Sequence, residues 1–159
     1  MVVEKTGHMA MEPVRNAADH GPMLATNDLR VGNLMTIDPV TISADESAGE
    51  AERLLKTYRI SGLPVTEGDA LVGVISQTDL LSARSSELIS ANWERLRVRH
   101  LMTRPPLTVS ATASIKAAAR RMIDHHIHRL VVLDESDVPV GVITPLDLLR
   151  SLLDEAEFA

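Results

Sequence analysis

The chain has 159 residues, 45% hydrophobic and 2% aromatic, with a net charge of −6. A single Trp, Tyr and Phe leave no stacking platform for single-stranded nucleic acid, the acidic balance argues against a DNA-binding surface spread over the whole molecule, and the absence of Cys excludes disulfides and thiolate metal sites. No apolar run approaches the roughly 20 residues of a membrane span, and the N-terminus lacks the apolar stretch of a signal peptide, so the expectation is a soluble cytoplasmic protein that meets neither membrane nor nucleic acid.

Residues 1–30 carry Gly7, Pro13, Asn16, Gly21, Pro22 and Asn27 with little periodicity, and read as a flexible N-terminal extension. The "GHM" at 7–9 resembles a cloning remnant, which would place the natural start at Met9 or Met11. From Val31 onward the chain repeats itself. VGNLMTIDPVTISADES (31–47) lies over VRHLMTRPPLTVSATAS (98–114) at an offset of 67. One extra residue in a turn makes the offset 68, and VGVISQTDLL (72–81) then falls on VGVITPLDLL (140–149). Two copies of this length suggest two similar units packed about a pseudo-twofold axis.

Each unit predicts the same order of elements. A short apolar strand (40–42 or 107–109) is followed by a helix. Ser43 with Glu46 has capping-box spacing, and Ala48, Ala51, Leu55 and Tyr58 follow near the helical period; Ile115, Ala118 and Met122 do the same in the second unit. Next come a buried strand (63–67 or 130–135), a polar turn (EGDA or ESDV), a second strand (71–76 or 139–144) and a helix from Gln77 or Pro145. Adjacent strands joined by a tight turn predict an antiparallel hairpin. The fold class is α+β (mixed α/β), each unit a small sheet with helices on one face. The expected division is an extension over 1–30, unit 1 over 31–84, a linker helix over 85–97, unit 2 over 98–153 and a tail over 154–159. Arg95, Arg97, Arg99 and Arg104 read as a solvated helix face ending in a strand, with a subunit contact or an anionic partner as the alternative.

Two copies of an apolar strand, Gly, two apolar residues, Ser/Thr-x-x-Asp and a helix, each opened by LMT and Pro, resemble the cystathionine-β-synthase (CBS) domain over residues 31–152. A tandem pair is called a Bateman module. The stretch IHRLVVLDESDVPVGVITPLDLLRSLL is also similar to the nucleotide-binding regulatory subunit of AMP-activated protein kinase. The resemblance implies a non-enzymatic regulatory module. Its ligand would be an adenine nucleotide (AMP, ADP or ATP) or S-adenosylmethionine, held in two clefts between the units. It also implies a homodimer of stacked modules and a regulated protein partner that the chain does not identify.

Ser76-x-x-Asp79 and Thr144-x-x-Asp147 have a structural and a functional account. Ser or Thr at an N-cap contributes about 1 kcal/mol, and Pro145 suits a first helical position. Asp is short for closing a capping box, where Glu or Gln reaches better, although the helix dipole favours it. In the functional account, helix N-termini suit phosphate, a hydroxyl adds a donor, and a carboxylate accepts hydrogen bonds from a ribose diol. The resemblance assigns Asp79 and Asp147 to ribose and Ser76 and Thr144 toward phosphate. It places adenine in one slot formed by Thr36, Val40, Ile60 and Ser61 with Ile143 and Asp147. The mate would use Thr103, Leu107, Ile127 and His128 with Ile75 and Asp79. Taken singly, each of these residues reads as ordinary packing.

His125, His126 and His128 invite a metal, but only His125 and His128 could share a helix face, the helix is expected to end between them, and no carboxylate pattern completes a site; no metal is expected. By resemblance the His128–Arg129 pair contacts phosphate, and Arg129 supplies a fixed charge and a planar fork. The first unit has Ser61 and Gly62 there, so the two clefts are expected to differ; which cleft Arg129 enters stays open. No nucleophile–base pair, carboxylate pair or activated metal signals an enzyme. The expected mechanism is a ligand-driven population shift in the orientation of the units. The alternatives are a structural dimerisation scaffold whose clefts are filled by bulky side chains, and a nucleic-acid binder using the stripe over residues 95–104.

Overall fold

The computed structural model describes residues 29–85 and 92–156, with the side chains of 154–156 left out. The predicted extension, apart from residues 29–30, therefore lies outside the described residues, as do 86–91 of the predicted linker and 157–159 of the tail.

In the first repeat the elements are α1 (Val31–Leu34), β1 (Thr36–Ile37), β2 (Ile42–Ser43), α2 (Ala48–Tyr58), β3 (Gly62–Glu67), β4 (Ala70–Ser76) and α3 (Gln77–Arg84). Two 3-10 turns, Trp93–Arg95 and Val98–His100, lead into β5 (Thr108–Ser110), α4 (Ile115–Asp124), β6 (Leu130–Leu133), β7 (Pro139–Ile143) and α5 (Pro145–Ala156). Mixed α+β architecture with small sheets and covering helices is what the periodicities predict.

Local chemistry sets the helix ends. Ser47 and Ser114 occupy equivalent positions in the two repeats, and their hydroxyls accept from Glu50 N (3.0 Å) and Ala117 N (3.1 Å). The cap of α2 is thus Ser47, not Ser43 as the capping-box spacing predicts. Ser43 is still in β2, and its hydroxyl accepts from Asp45 N across a tight turn (3.3 Å). Ala48, Ala51 and Leu55 of α2, and Ile115, Ala118 and Met122 of α4, form the buried faces. Tyr58, which the period places on that face, is 54% exposed, because it is the last helical residue before Arg59 turns the chain left-handed (φ 53°).

Both hairpins form. β3 pairs antiparallel with β4 and β6 with β7, and each ladder is irregular at the same repeat position, Val65/Thr66 and Val132/Leu133. The hairpin turns differ in length, which accounts for the change of offset from 67 to 68. β2 and β5 lie parallel to β3 and β6.

The sheets do not respect the sequence units. β1, from the first repeat, pairs antiparallel with β7 of the second, giving the order β1-β7-β6-β5. The sheet β2-β3-β4 receives the reciprocal contact as a bridge between Val74 and Thr103, with Thr103 N donating to Val74 O at 2.8 Å. Accordingly Val31 is buried in the second core, with Leu130 and Ile143, and Val98 and Met102 in the first, with Leu63 and Ile75. Each opening LMT segment is a strap across the opposite repeat.

Residues 92–97, inside the predicted linker helix, carry one 3-10 turn and then an extended brace. Leu96 O accepts from Ala48 N (2.7 Å) and Arg99 N donates to Ala44 O (3.0 Å). In the second unit Leu29 O accepts from Ile115 N in the equivalent way. Arg97 donates to Asp45 O (3.1 Å), and Arg99 pairs with Asp45 and with Glu67 (3.2 Å). Of the four arginines read as one solvated helix face, Arg97 and Arg99 are therefore fasteners of the brace. Trp93 is buried beside α2, with Arg84 stacked 4.5 Å from its ring centroid.

Candidate functional site

The opening of each last helix is built the same way. Ser76, in extended conformation, caps α3, its hydroxyl accepting from Asp79 N at 3.2 Å. One carboxylate oxygen, Asp79 Oδ2, accepts from Ser76 N (2.7 Å) and from Ser76 Oγ (2.6 Å). In α5, Asp147 Oδ2 accepts from Thr144 N and Thr144 Oγ1, both at 2.8 Å. Asp does reach back to the cap, because the extended N-cap residue places its N–H and its hydroxyl side by side. Oδ1 of each carboxylate is outside these bonds; that of Asp147 lies 3.8 Å from Arg150 Nη1.

This arrangement uses up donors that the functional account needs. An ionised carboxylate cannot donate, so the Ser76 and Thr144 hydroxyl hydrogens point to the Asp residues rather than to a phosphate. Gln77 N donates to Ser61 O (3.0 Å), Asp147 N to Thr144 O (3.1 Å), and Pro145 has no N–H. The two helix N-termini are largely satisfied internally.

Two cavities flank these openings, each walled by both repeats. The large cleft, about 720 Å³, brings together Thr36, Val40, Ile60 and Ser61 with Val142 and Thr144. The small cleft, about 300 Å³, brings together Thr103, Leu107 and Ile127 with Val74, Ser76 and Asp79. Both volumes lie in the range of small-molecule sites. His128 and Arg129 line both clefts.

Three of the sequence-predicted positions are corrected. Ile75 and Ile143 are 0% exposed and belong to the two cores. Side chains alternate along a strand, so their neighbours Val74 and Val142 face the clefts instead. Asp147 is not on the cavity wall as Asp79 is; it stands behind Thr144, with its side chain 11% exposed.

Sequence reasoning missed Tyr58, Arg59 and Gln77, which also line the large cleft. The available signal was position: Tyr58 and Arg59 end α2 immediately before Ile60. His126 lines the small cleft, whereas His125 lies in a separate groove between β5 and α4, so His125 and His128 are not brought together. Among the described residues no group of three or more His, Asp and Glu is placed to hold a metal ion, and no helix is long and apolar enough to cross a membrane.

Arg129 sits in the wall between the clefts. Its Nη2 donates to Ser61 Oγ at 2.7 Å, while Nη1 is shielded from solvent and has no hydrogen-bond partner. Burial disfavours its charge and lowers its pKa from the ordinary guanidinium value, with the nearby Asp79 carboxylate acting in the opposite direction. Gly62 makes the room: a Cβ there would stand 1.4 Å from Arg129 Nη1.

The CBS domain family model matches residues 31–86 and 98–154. An inosine-5'-monophosphate dehydrogenase of Korarchaeum cryptofilum is 32% identical over 119 residues, 75% of this chain, which spans 23% of that enzyme's length. An uncharacterized protein of Methanopyrus kandleri is 28% identical over 76% of this chain and 61% of its own length. Among solved structures, the CBS-pair protein CBSX2 from Arabidopsis thaliana gives a TM-score of 0.72 at 28% identity, covering 82% of this chain and 98% of that one. A CBSX2 structure in complex with AMP gives 0.70 at 30% identity, over 80% and 98% of the two chains. The CBS domain pair of protein MJ0100, in complex with 5'-methylthioadenosine and S-adenosyl-L-methionine, gives 0.68 at 26% identity, over 78% and 99%. With both repeats matched, and with their opening segments exchanged between two sheets around two shared clefts, the chain belongs to the CBS domain family and carries two tandem copies.

Proposed function

We propose that this chain is a non-catalytic regulatory module that binds an adenosyl ligand between its two repeats and responds by changing their relative orientation. The observation that carries the reading is the shielded, unpartnered Arg129 Nη1 beside an open cleft of about 720 Å³ walled by both repeats. An unpaired buried donor on a cation is costly, and a phosphate oxygen is the acceptor that matches it. The AMP complex of CBSX2, at 30% identity, supports AMP as ligand, and the MJ0100 complex at 26% supports S-adenosylmethionine and 5'-methylthioadenosine. ADP and ATP belong to the same chemistry. Thr36, Val40, Ile60, Ser61 and Val142 would form the apolar slot of the large cleft, and Thr103, Leu107, Ile127 and Val74 that of the small one. Asp79 would present Oδ1 to ribose hydroxyls in the small cleft, whereas Asp147 would act through its cap on Thr144.

A bridging ligand shifts the orientation of the repeats only by its differential affinity for the two arrangements. The regulated protein would be a partner or an attached domain in the cytoplasm. The exposed leucines of α5, Leu149 (56%) and Leu152 (53%), with Leu81 (72%) on α3, favour docking of a second copy. Leu81 and Leu149 are equivalent repeat positions, so a twofold axis can bring like against like.

Thermal unfolding with AMP, ADP, ATP, NAD and S-adenosylmethionine tests the reading. A ligand at 100 times its Kd stabilises the folded state by about 2.7 kcal/mol, so at least one of these should raise the midpoint by several degrees. Silence across the whole panel, with the chain folded, would leave the dimerisation scaffold as the function.

A further inference from the structure

Building on the adenosyl-ligand function, we infer that Arg129 is a single charge shared by the two clefts, so that the module holds one anionic ligand at a time, and a second ligand must be uncharged or cationic.

The repeat itself raises the question. Arg129 and Gly62 are equivalent positions at the offset of 67, and a symmetric module would have either two arginines or none. The structure puts the two positions in contact. The guanidinium of the second repeat fills the space left by the missing side chain of the first, with a Cβ on Gly62 falling 1.4 Å from Nη1 and 2.6 Å from Cζ. A second arginine at 62 would occupy the same volume with the same charge. The pseudo-twofold is therefore broken where both clefts meet.

Arg129 reaches into both. Its Nη2 is held by Ser61, on the wall of the large cleft, and Asp79, on the wall of the small cleft, is the carboxylate whose field supports its charge. Nη1 lacks an acceptor. The first-turn N–H groups of Gln77, Asp79 and Asp147 already bond within the protein. Exposed Arg59, the other arginine at a cleft, lines only the large one.

An anionic ligand fits the large cleft better on volume and on charge, since about 720 Å³ stands against 300 Å³, and the large cleft sets Arg59 and Arg129 against Asp38 where the small one sets Arg129 against Asp79. Once a phosphate in the large cleft pairs with the Arg129 guanidinium, the charge of Arg129 is neutralised by the ligand. Asp79 then faces the small cleft without its compensating cation. A second phosphate would meet a carboxylate there, whereas a neutral or cationic adenosyl compound would not. Coupling of this kind is reciprocal, so a neutral ligand in the small cleft leaves AMP binding in the large one intact.

Isothermal titration of the full chain with AMP and with adenosine reads this directly. Wild type should take one AMP per chain. Arg129→Ala should weaken AMP by about 10- to 100-fold, the range for a hydrogen bond to a charged group, and adenosine by less than about threefold. Arg129→Lys, which keeps the charge and loses the fork, should fall between, and the midpoints of the unliganded variants report folding. Two AMP molecules bound per chain with equal affinity would overturn the sharing while leaving the ligand-binding function standing; that measurement needs no variant. Equal losses for AMP and adenosine in folded Arg129→Ala would overturn the charge role. If wild type bound neither AMP nor adenosine, and no other adenosyl ligand, the functional reading would fall and this inference with it.

Discussion

Met35 of the first repeat lies directly on Gly141 of the second. A Cβ built on Gly141 would stand 2.5 Å from Met35 Sδ and 2.9 Å from Thr36 O. Met102 and Gly73 form the reciprocal pair, with a Cβ at 2.6 Å from the sulfur and 3.0 Å from Thr103 O. The two most recognisable phrases of the sequence, LMT and VGVI, are thus the two sides of one contact made twice.

Gly73→Ala and Gly141→Ala should each destabilise the fold by about 1–3 kcal/mol, the range for overpacking against a neighbour that cannot withdraw, here a backbone carbonyl. Denaturant unfolding measures this. Gly68→Ala is the comparison, since nothing lies within 4 Å of its Cβ and only its φ of 59° opposes the change. A Gly73→Ala variant as stable as wild type would mean that the strap is loosely held.

Asp79→Asn and Asp147→Asn separate capping from ligand binding. An amide oxygen can still accept from the N-cap N–H, so stability should change by no more than about 1 kcal/mol. Affinity for an adenosyl ligand in the small cleft should fall about tenfold or more in Asp79→Asn, whose carboxylate lines that cleft. Ser76→Ala, in contrast, should cost about 1 kcal/mol of stability through the lost cap. Unchanged affinity in Asp79→Asn would reduce that residue to a helix cap.

Leu149→Glu should leave protomer stability nearly unchanged, because surface positions are usually within about 0.5 kcal/mol, while shifting a dimer toward monomer. Light scattering across a concentration series reads the mass. A wild-type chain that stays monomeric at every concentration would remove the proposed second copy from the leucine face.

Glu52 pairs with Lys56 one turn on within α2 (2.8 Å) and links α2 to α3 through Arg84 (2.5 Å). Its pKa is lowered mainly by the hydrogen bond from Lys56, with Arg84 adding to it and burial opposing. A carboxyl whose folded pKa lies below its unfolded value contributes stability above the unfolded value, and loses it as pH falls through the folded one. Glu52→Gln should therefore lower the midpoint at neutral pH by a small amount, since the pair is solvent-screened, and the difference from wild type should vanish in acid. A difference that persists at acidic pH would assign the effect to packing of the Glu52 side chain.

Much of the fold was legible because its determinants are local. The hairpins follow from apolar runs separated by EGDA and ESDV, and the buried faces of α2 and α4 from their periodicity. The exact cap of α2 was not, because Ser43 and Ser47 both precede the apolar period and only the bond from Ala44 N to Thr66 O keeps residue 44 on the sheet. Most of the positions singled out in the sequence do line a cleft, whereas Ile75, Ile143 and Asp147 do not, although the strand alternation that favours Val74 and Val142 was already written in the chain. Tyr58, Arg59 and Gln77 were missed because helix ends carry no periodic signal for which way they face.

The sequence by itself determined two equivalent units, the order of their elements, and the capped Ser/Thr–Asp openings of the last helices, all set by interactions within a few residues. Only the tertiary structure decided that each LMT segment straps the opposite repeat. An internal repeat pairs equally well on paper with its own copy or with the other. The space over Gly73 and Gly141 is filled across the axis. The same holds for Arg129. Its charge and its unequal counterpart were readable in the sequence, but its place between the clefts depends on Ser61 and Gly62, whose contact with it spans 68 and 67 residues of chain.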